Sequence, residues 1–280
     1  MFKIMTASLY KLFRDTTFKV TLIIGVALAL LTNLLYFVIF KIAIDTPEIG
    51  SALFSGETAL INSLSPSSNF GLTVPINLVV FTIGEFTYGT IRNKIIAGHK
   101  RSSIYFSLLL TGFVFTVILM TAYCFLSWAF GSLLSGSVHA QGVSGTTIGY
   151  IILYGFCSYI FVMVLSVFVA TLTRSIGGSL PIVILMLVFM GLIPTFSLIG
   201  MSTEMGGEAS LLTYLPSHIA MWIDPLFMLG VYSNSSIMSS LITGTENSVE
   251  MILAGIIVPI FWSAVFGILG LKLFQFRDIK

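Results

Sequence analysis

Charge is what this sequence has least of. Asp, Glu, Lys and Arg make up 9% of its 280 residues, against roughly a quarter in an ordinary soluble domain. With 56% hydrophobic residues and a mean hydropathy of +1.04, there is too little polar surface to keep such a chain in water, and it reads as an integral membrane protein. The two cysteines, Cys124 and Cys157, lie inside apolar runs, which argues against a disulfide framework and suits small buried hydrophobes. No cluster of Cys or His has metal-ligand spacing. No Gly-Lys dipeptide occurs, so the phosphate-binding loop that cradles ATP is absent. The first twenty residues lack the short apolar core and small-residue cleavage site of a secretory signal. No short repeat stands out, nor does the inverted repeat of many secondary transporters.

What is present is long apolar sequence. A helix that crosses a bilayer needs about 20 mostly apolar residues. Six stretches qualify: 20–40, 70–88, 104–130, 147–172, 179–198 and 251–274. The second is the least apolar, with Thr73, Pro75, Asn77 and Thr82 inside it. The expected fold is all-α and embedded in a lipid bilayer. It is a single transmembrane domain over 1–280, with an interfacial helix in 1–19, six spans in 20–274 and a short tail in 275–280.

The few charges are unevenly placed. Under this topology twelve of the thirteen basic residues fall on one face, Lys41 being the exception, and eight of the eleven acidic residues fall opposite. By the positive-inside rule both termini are cytoplasmic. Before the first span, Phe2, Met5, Leu9, Leu12 and Phe13 recur at helical spacing among Lys3, Lys11 and Arg14, the pattern of a helix lying in the membrane interface. Two outer loops are expected, an acidic one over 41–69 and a long one over 200–250. The latter contains an apolar run, 211–229, that Pro216 and Pro225 break too often for it to span.

Chemistry is sparse. Within the spans the one acidic residue is Glu85, near the cytoplasmic end of the second. A proton relay needs ionisable groups near mid-membrane, so ion coupling has little to work with. Glu85 reads as an anchor, paired with Arg92 or Arg101 or accepting backbone hydrogen bonds from the following turn. Gly142-Val143-Ser144-Gly145 is similar to the nucleophile motif of rhomboid-type intramembrane proteases. A serine nucleophile needs a base within hydrogen-bond reach, yet the sixth span has no histidine, and His139 and His218 are placed in loops. No catalytic residue and no enzymatic activity are expected of this chain.

The densest information lies between the second and third spans, in GEFTYGTIRNKIIAGHKR. Glu85, then Gly89-Thr90-Ile91-Arg92-Asn93-Lys94, then Gly98 and Arg101, resemble the signature of ABC-2 type exporter permeases. In that family an acidic residue closes the second span and a G-T-[IL]-R-x-K-like run follows. The interfacial helix, six spans and large fifth-to-sixth outer loop resemble the same family, so the likeness extends over nearly the whole chain. His99-Lys100 departs from it, since a small or polar residue is common there. The resemblance implies that 89–98 is a coupling helix docking on a separate ATP-binding subunit, which would hold ATP and Mg while this chain holds no cofactor. It implies pairing with a second copy or a paralogous permease, and export of a drug, an ion or, most in keeping with a Phe- and Met-rich membrane region, an amphipathic or hydrophobic peptide. Nucleic acid is not among the expected partners. On the residues alone, Tyr88, Ile91, Ile95 and Ile96 can form an apolar docking face, and Arg92, Lys94 and Arg101 can pair with an acidic rim.

Overall fold

The structure, a computed structural model, describes residues 2–43, 55–65, 72–135, 145–203, 221–226 and 249–276. Among them the long elements are all helical: α1 (Phe2–Arg14), α2 (Thr16–Ala43), α3 (Gly56–Leu64), α4 (Thr73–Thr87), α5 (Thr90–Ile96), α6 (Arg101–Ser135), α7 (Gly145–Thr173), α8 (Ile176–Thr203) and α9 (Val249–Phe276). Four of them, α2, α6, α7 and α9, are long and apolar enough to cross a membrane, and the bent pair α4–α5 brings the number to five. In α8 the apolar stretch Ile176–Leu192 falls short of that length among the described residues. This is an all-α membrane-spanning protein. Of the tail expected over 275–280, residues 275 and 276 continue α9 and the rest lies outside the described residues, as do most of both outer loops.

The helix α7 forms the centre and packs against α3, α4, α6, α8 and α9. Of its apolar stretch 72% is buried, against 22% for α2 and 28% for α9. A helix that is apolar all round belongs inside a bundle or in lipid, and here contact with neighbours decides which. Tyr105, Tyr154, Tyr159 and Phe161 are its largest fully buried side chains with those of α6. Several interior hydroxyls return to their own helix: Thr111 Oγ1 donates to Ser107 C=O, Thr116 Oγ1 to Gly112 C=O and Ser166 Oγ to Val162 C=O. This local closure satisfies them where no water is available. The outward faces of α2 and α9, with Ile23, Leu31, Leu34, Phe261 and Ile268 exposed, suit contact with lipid.

The loop expected over 41–69 is different from its prediction. Its residues 55–65 include α3, which is buried between α6 and α7. Ser55 and Thr58 close a reciprocal cap at its start. Close approach is possible because Gly131 and Gly155 face it. A Cβ at Gly131 would lie 2.5 Å from Ala59 Cβ, and one at Gly155 would lie 2.7 Å from Leu64 Cδ2. Tyr159 Oη, midway along α7, donates to Ser63 C=O. The helix therefore enters the bundle, and Glu57 is buried with it. Its Ser- and Gly-containing sequence matches a surface loop in composition, and only the glycine-lined groove on α6 and α7 distinguishes the two.

Candidate functional site

At one end of the bundle α1, the end of α4 and α5 converge on Glu85. Its side chain is 1% exposed. Lys11 Nζ of α1 lies 2.5 Å from Oε1, and Lys94 Nζ of α5 lies 2.9 Å from Oε2. Lys94 Nζ also donates to Ser8 Oγ of α1 at 3.2 Å. One carboxylate thus ties three helices through two ammonium groups and leaves one net positive charge. The expected partners of Glu85 were Arg92 or Arg101; the structure pairs it with Lys94 and with Lys11, which no local spacing could connect to it. Arg92 points outward and is exposed. Arg101, at the start of α6, donates from Nη1 to Gln275 C=O at the end of α9, a cation against a helix C-terminus whose carbonyls lack internal partners.

Two glycines shape the turn. Gly89 has φ +66° and Gly98 has φ +83°, the left-handed region that non-glycine residues enter only at a cost. Gly89 ends α4, its N–H donating to Phe86 C=O, and α5 departs at 52°. Gly98 ends α5: its N–H donates to Ile95 C=O and the His99 N–H to Lys94 C=O, the paired pattern of a Schellman cap. No atom lies within 4 Å of a Cβ built at either glycine, so backbone conformation, and no lack of space, requires them.

The four apolar residues expected to form one docking face divide between two. Ile91 is fully buried and Ile95 packs on the same core, whereas Tyr88 is 80% and Ile96 74% exposed. On a helix of seven residues the side facing α1 and α6 takes Ile91, Lys94 and Ile95. The side facing away carries Arg92, Asn93 and Ile96, with Tyr88 just before the helix and His99 and Lys100 after it. Lys94 likewise belongs to the interior ion cluster and is not a rim residue. Thr90 is half-buried at the first turn.

Sequence reasoning missed three participants. Ser8 and Lys11 stand three apart on α1, on the face that also buries Leu12; that spacing is a usable signal once α1 is known to dock. Arg174, in the turn between α7 and α8, has φ +54° and stacks its guanidinium 5.5 Å from the centre of the Phe86 ring. Phe86 in turn meets Phe274 of α9, which meets Tyr105 of α6. The ion cluster is therefore flanked by a cation–aromatic chain that joins four helix ends. Ser144, His139 and His218, the residues of the protease motif, lie outside the described residues, as does the tail from 277. Among the described residues no group of His, Cys, Asp or Glu could hold a metal ion. In comparisons with known proteins, no family model, no curated protein and no solved structure matches the chain.

Proposed function

We propose that this chain is the membrane subunit of an ATP-driven exporter of the ABC-2 type, with six spans, both termini in the cytoplasm of a bacterial cell and two permease subunits per transporter. The observation that carries the reading is the grip of Lys11 and Lys94 on the buried Glu85. It fastens a short, outward-facing helix rigidly to the end of a span and to the N-terminal helix. A lever that passes motion from a partner to a bundle needs such a joint, because a side chain free to reorient would absorb the displacement. The exposed face of α5 supplies the contact surface, with Tyr88 and Ile96 as apolar anchors and Arg92 and Lys100 as cations for an acidic rim. ATP and Mg belong to the partner, whose closure on ATP would bias the bundle between two states.

The cargo proposed is an amphipathic or hydrophobic peptide. Support comes from the interior, where aromatic and aliphatic side chains dominate and several hydroxyls are turned back on their own helices. A sugar would need polar side chains facing a path.

The test is co-purification in detergent with the ATP-binding protein encoded beside this chain. Tyr88→Asp and Ile96→Asp are expected to abolish the complex while the variant proteins melt as the wild type does. Ile91→Asp is a control for folding, since it would place a carboxylate in the core. A complex that survives both exposed substitutions would remove α5 as the docking element, and absence of any complex would remove the exporter reading.

A further inference from the structure

The turn 221–226 is pinned against the bundle, with Trp222 and Ile223 exposed. Met221, Asp224 and Leu226 are buried. Ser158 Oγ, halfway along α7, donates to Pro225 C=O at 3.3 Å, and Trp262 Nε1, halfway along α9, donates to Ile223 C=O at 2.9 Å. Leu226 packs with Val79 of α4, Phe161 of α7 and Val183 of α8. The turn thus reaches the mid-depth of the helices around it. Asp224 is 5% exposed. Its Oδ1 accepts the Leu226 N–H at 2.9 Å, and its Oδ2 is buried without a hydrogen-bond partner among the described residues.

Among the described residues, Asp224 has no ion pair and only one hydrogen bond to keep its carboxylate ionised. Along α7, from Gly145 to Thr173, the titratable groups are Tyr150, Tyr154, Cys157 and Tyr159, none of them cationic. Helix α8 carries no titratable residue, α4 carries Glu85 at its far end, and α9 carries Glu250 and Lys272 at its two ends. An unpaired buried oxygen is costly, and an unpaired buried charge more so. Taking up a proton cancels the charge.

We propose that Asp224 is a proton-binding site in the interior of the bundle, and that its ionisation releases the turn 221–226 from between α7 and α9. The step is a single proton exchange: Oδ2 takes a proton from water to become a neutral carboxyl and returns it as pH rises, with no other bond made or broken. Protonated, the group can remain beside α7; ionised, it draws the turn toward water. Burial pushes the carboxyl from 3.8 up to about 7, against the opposing effect of the Leu226 bond. The folded form then binds the proton more tightly than the unfolded chain. Stability is fully present below the ordinary carboxylate range, falls as pH rises toward about 7 and levels above it. This inference stands apart from the exporter reading and does not depend on it.

The experiment uses the full chain in lipid nanodiscs with its aspartate carboxyls labelled with carbon-13. The chain has four aspartates, Asp15, Asp45, Asp224 and Asp278. One resonance is expected to titrate near neutral pH, and it is absent from Asp224→Asn. Absence of any aspartate resonance that titrates near neutral pH overturns the site, and wild-type protein alone delivers that result if the variant fails to fold. Release of the turn is read separately in a Trp128→Phe, Trp222→Phe background, where Trp262 is the sole tryptophan. Its emission should shift to the red as pH rises through neutral, and should not shift when Asp224→Asn is added. A neutral-titrating aspartate with unchanged Trp262 emission would keep the site and overturn the release.

Discussion

Replacing Glu85 with Gln keeps the side chain's shape and removes its charge, which makes it the sharpest perturbation of the joint between α1, α4 and α5. The two lysines then respond differently. Lys11 is 41% exposed, so it can turn to water, and its loss of a partner is worth about 0–1 kcal/mol, as for a screened surface pair. Lys94 is 14% exposed and held beside Ser8. Stripping a buried ammonium of its counter-charge costs about 3–5 kcal/mol. Because Ser8 and the new amide oxygen still accept from it, the low end applies, about 3 kcal/mol in total. With an unfolding entropy of about 2.1 cal/mol/K per residue over 280 residues, that lowers the melting midpoint by about 5 °C. The assay is thermal melting in mild detergent for Glu85→Gln, Lys94→Met and the double variant. Removing both leaves no buried charge unpaired, since Lys11 can turn to water, so the double variant should melt above Glu85→Gln, with a coupling of at least about 1.5 kcal/mol. If the two single effects simply add, the pair is not an energetic unit and the argument for a rigid joint fails.

Four further outcomes are expected. Gly131→Val and Gly155→Val, which press on Ala59 and Leu64 of α3, should each destabilise by about 1–3 kcal/mol through overpacking. They should also open a cysteine placed at Ile61 to a membrane-impermeant thiol reagent. Gly270→Ala would drive a Cβ into the Tyr105 hydroxyl and should melt early. Tyr105→Phe should recover only part of the loss, since Tyr105 Cζ would still lie 2.9 Å from that Cβ, and by itself be neutral or stabilising, since that hydroxyl is buried without a partner among the described residues. Arg174→Gly should melt higher than Arg174→Ala by about 1 kcal/mol, because both lose the stacking on Phe86 and only glycine is free of the left-handed penalty at φ +54°. The gap in melting midpoint between Asp224→Asn and the wild type should open as pH rises from about 5 to 8, following the direction of the carboxyl's shift. A gap independent of pH would contradict it.

Much of the candidate site was legible in the sequence and part of it was not. Glu85, Gly89 and Gly98 stood out because their chemistry is local: a carboxylate closing an apolar run, and glycines where helices must end and turn. The orientation of α5 was not legible, since seven residues with apolar side chains on both sides fit either face to the core. Ile91 and Ile95 went inward because α1 and α6 offer an apolar surface there, and Tyr88 and Ile96 were left outside. The partners of Glu85 followed the same division. Lys94 is nine residues away and Lys11 is seventy-four away, and nothing in either neighbourhood encodes that α1 folds back across the end of α4. Within the spans Glu85 is the one acidic residue expected, but Glu57 and Asp224 are also buried in the bundle, entering from segments read as loops.

The sequence by itself determined that the chain is helical and lives in a membrane. A run of some twenty apolar residues cannot be dissolved by water, and in hydrocarbon a lone segment satisfies its backbone only as a helix. It also determined where α4 and α5 break, through two glycines with positive φ. Tertiary structure decided everything that depends on close approach between distant segments. It put α3 into the groove that Gly131 and Gly155 leave, joined three helices on one carboxylate, and lodged Asp224 at the mid-depth of α7 and α9. Hydropathy measures the preference of a residue for oil over water. It carries no information about which apolar surfaces have matching shapes, and in a bundle that match alone selects which side chains meet.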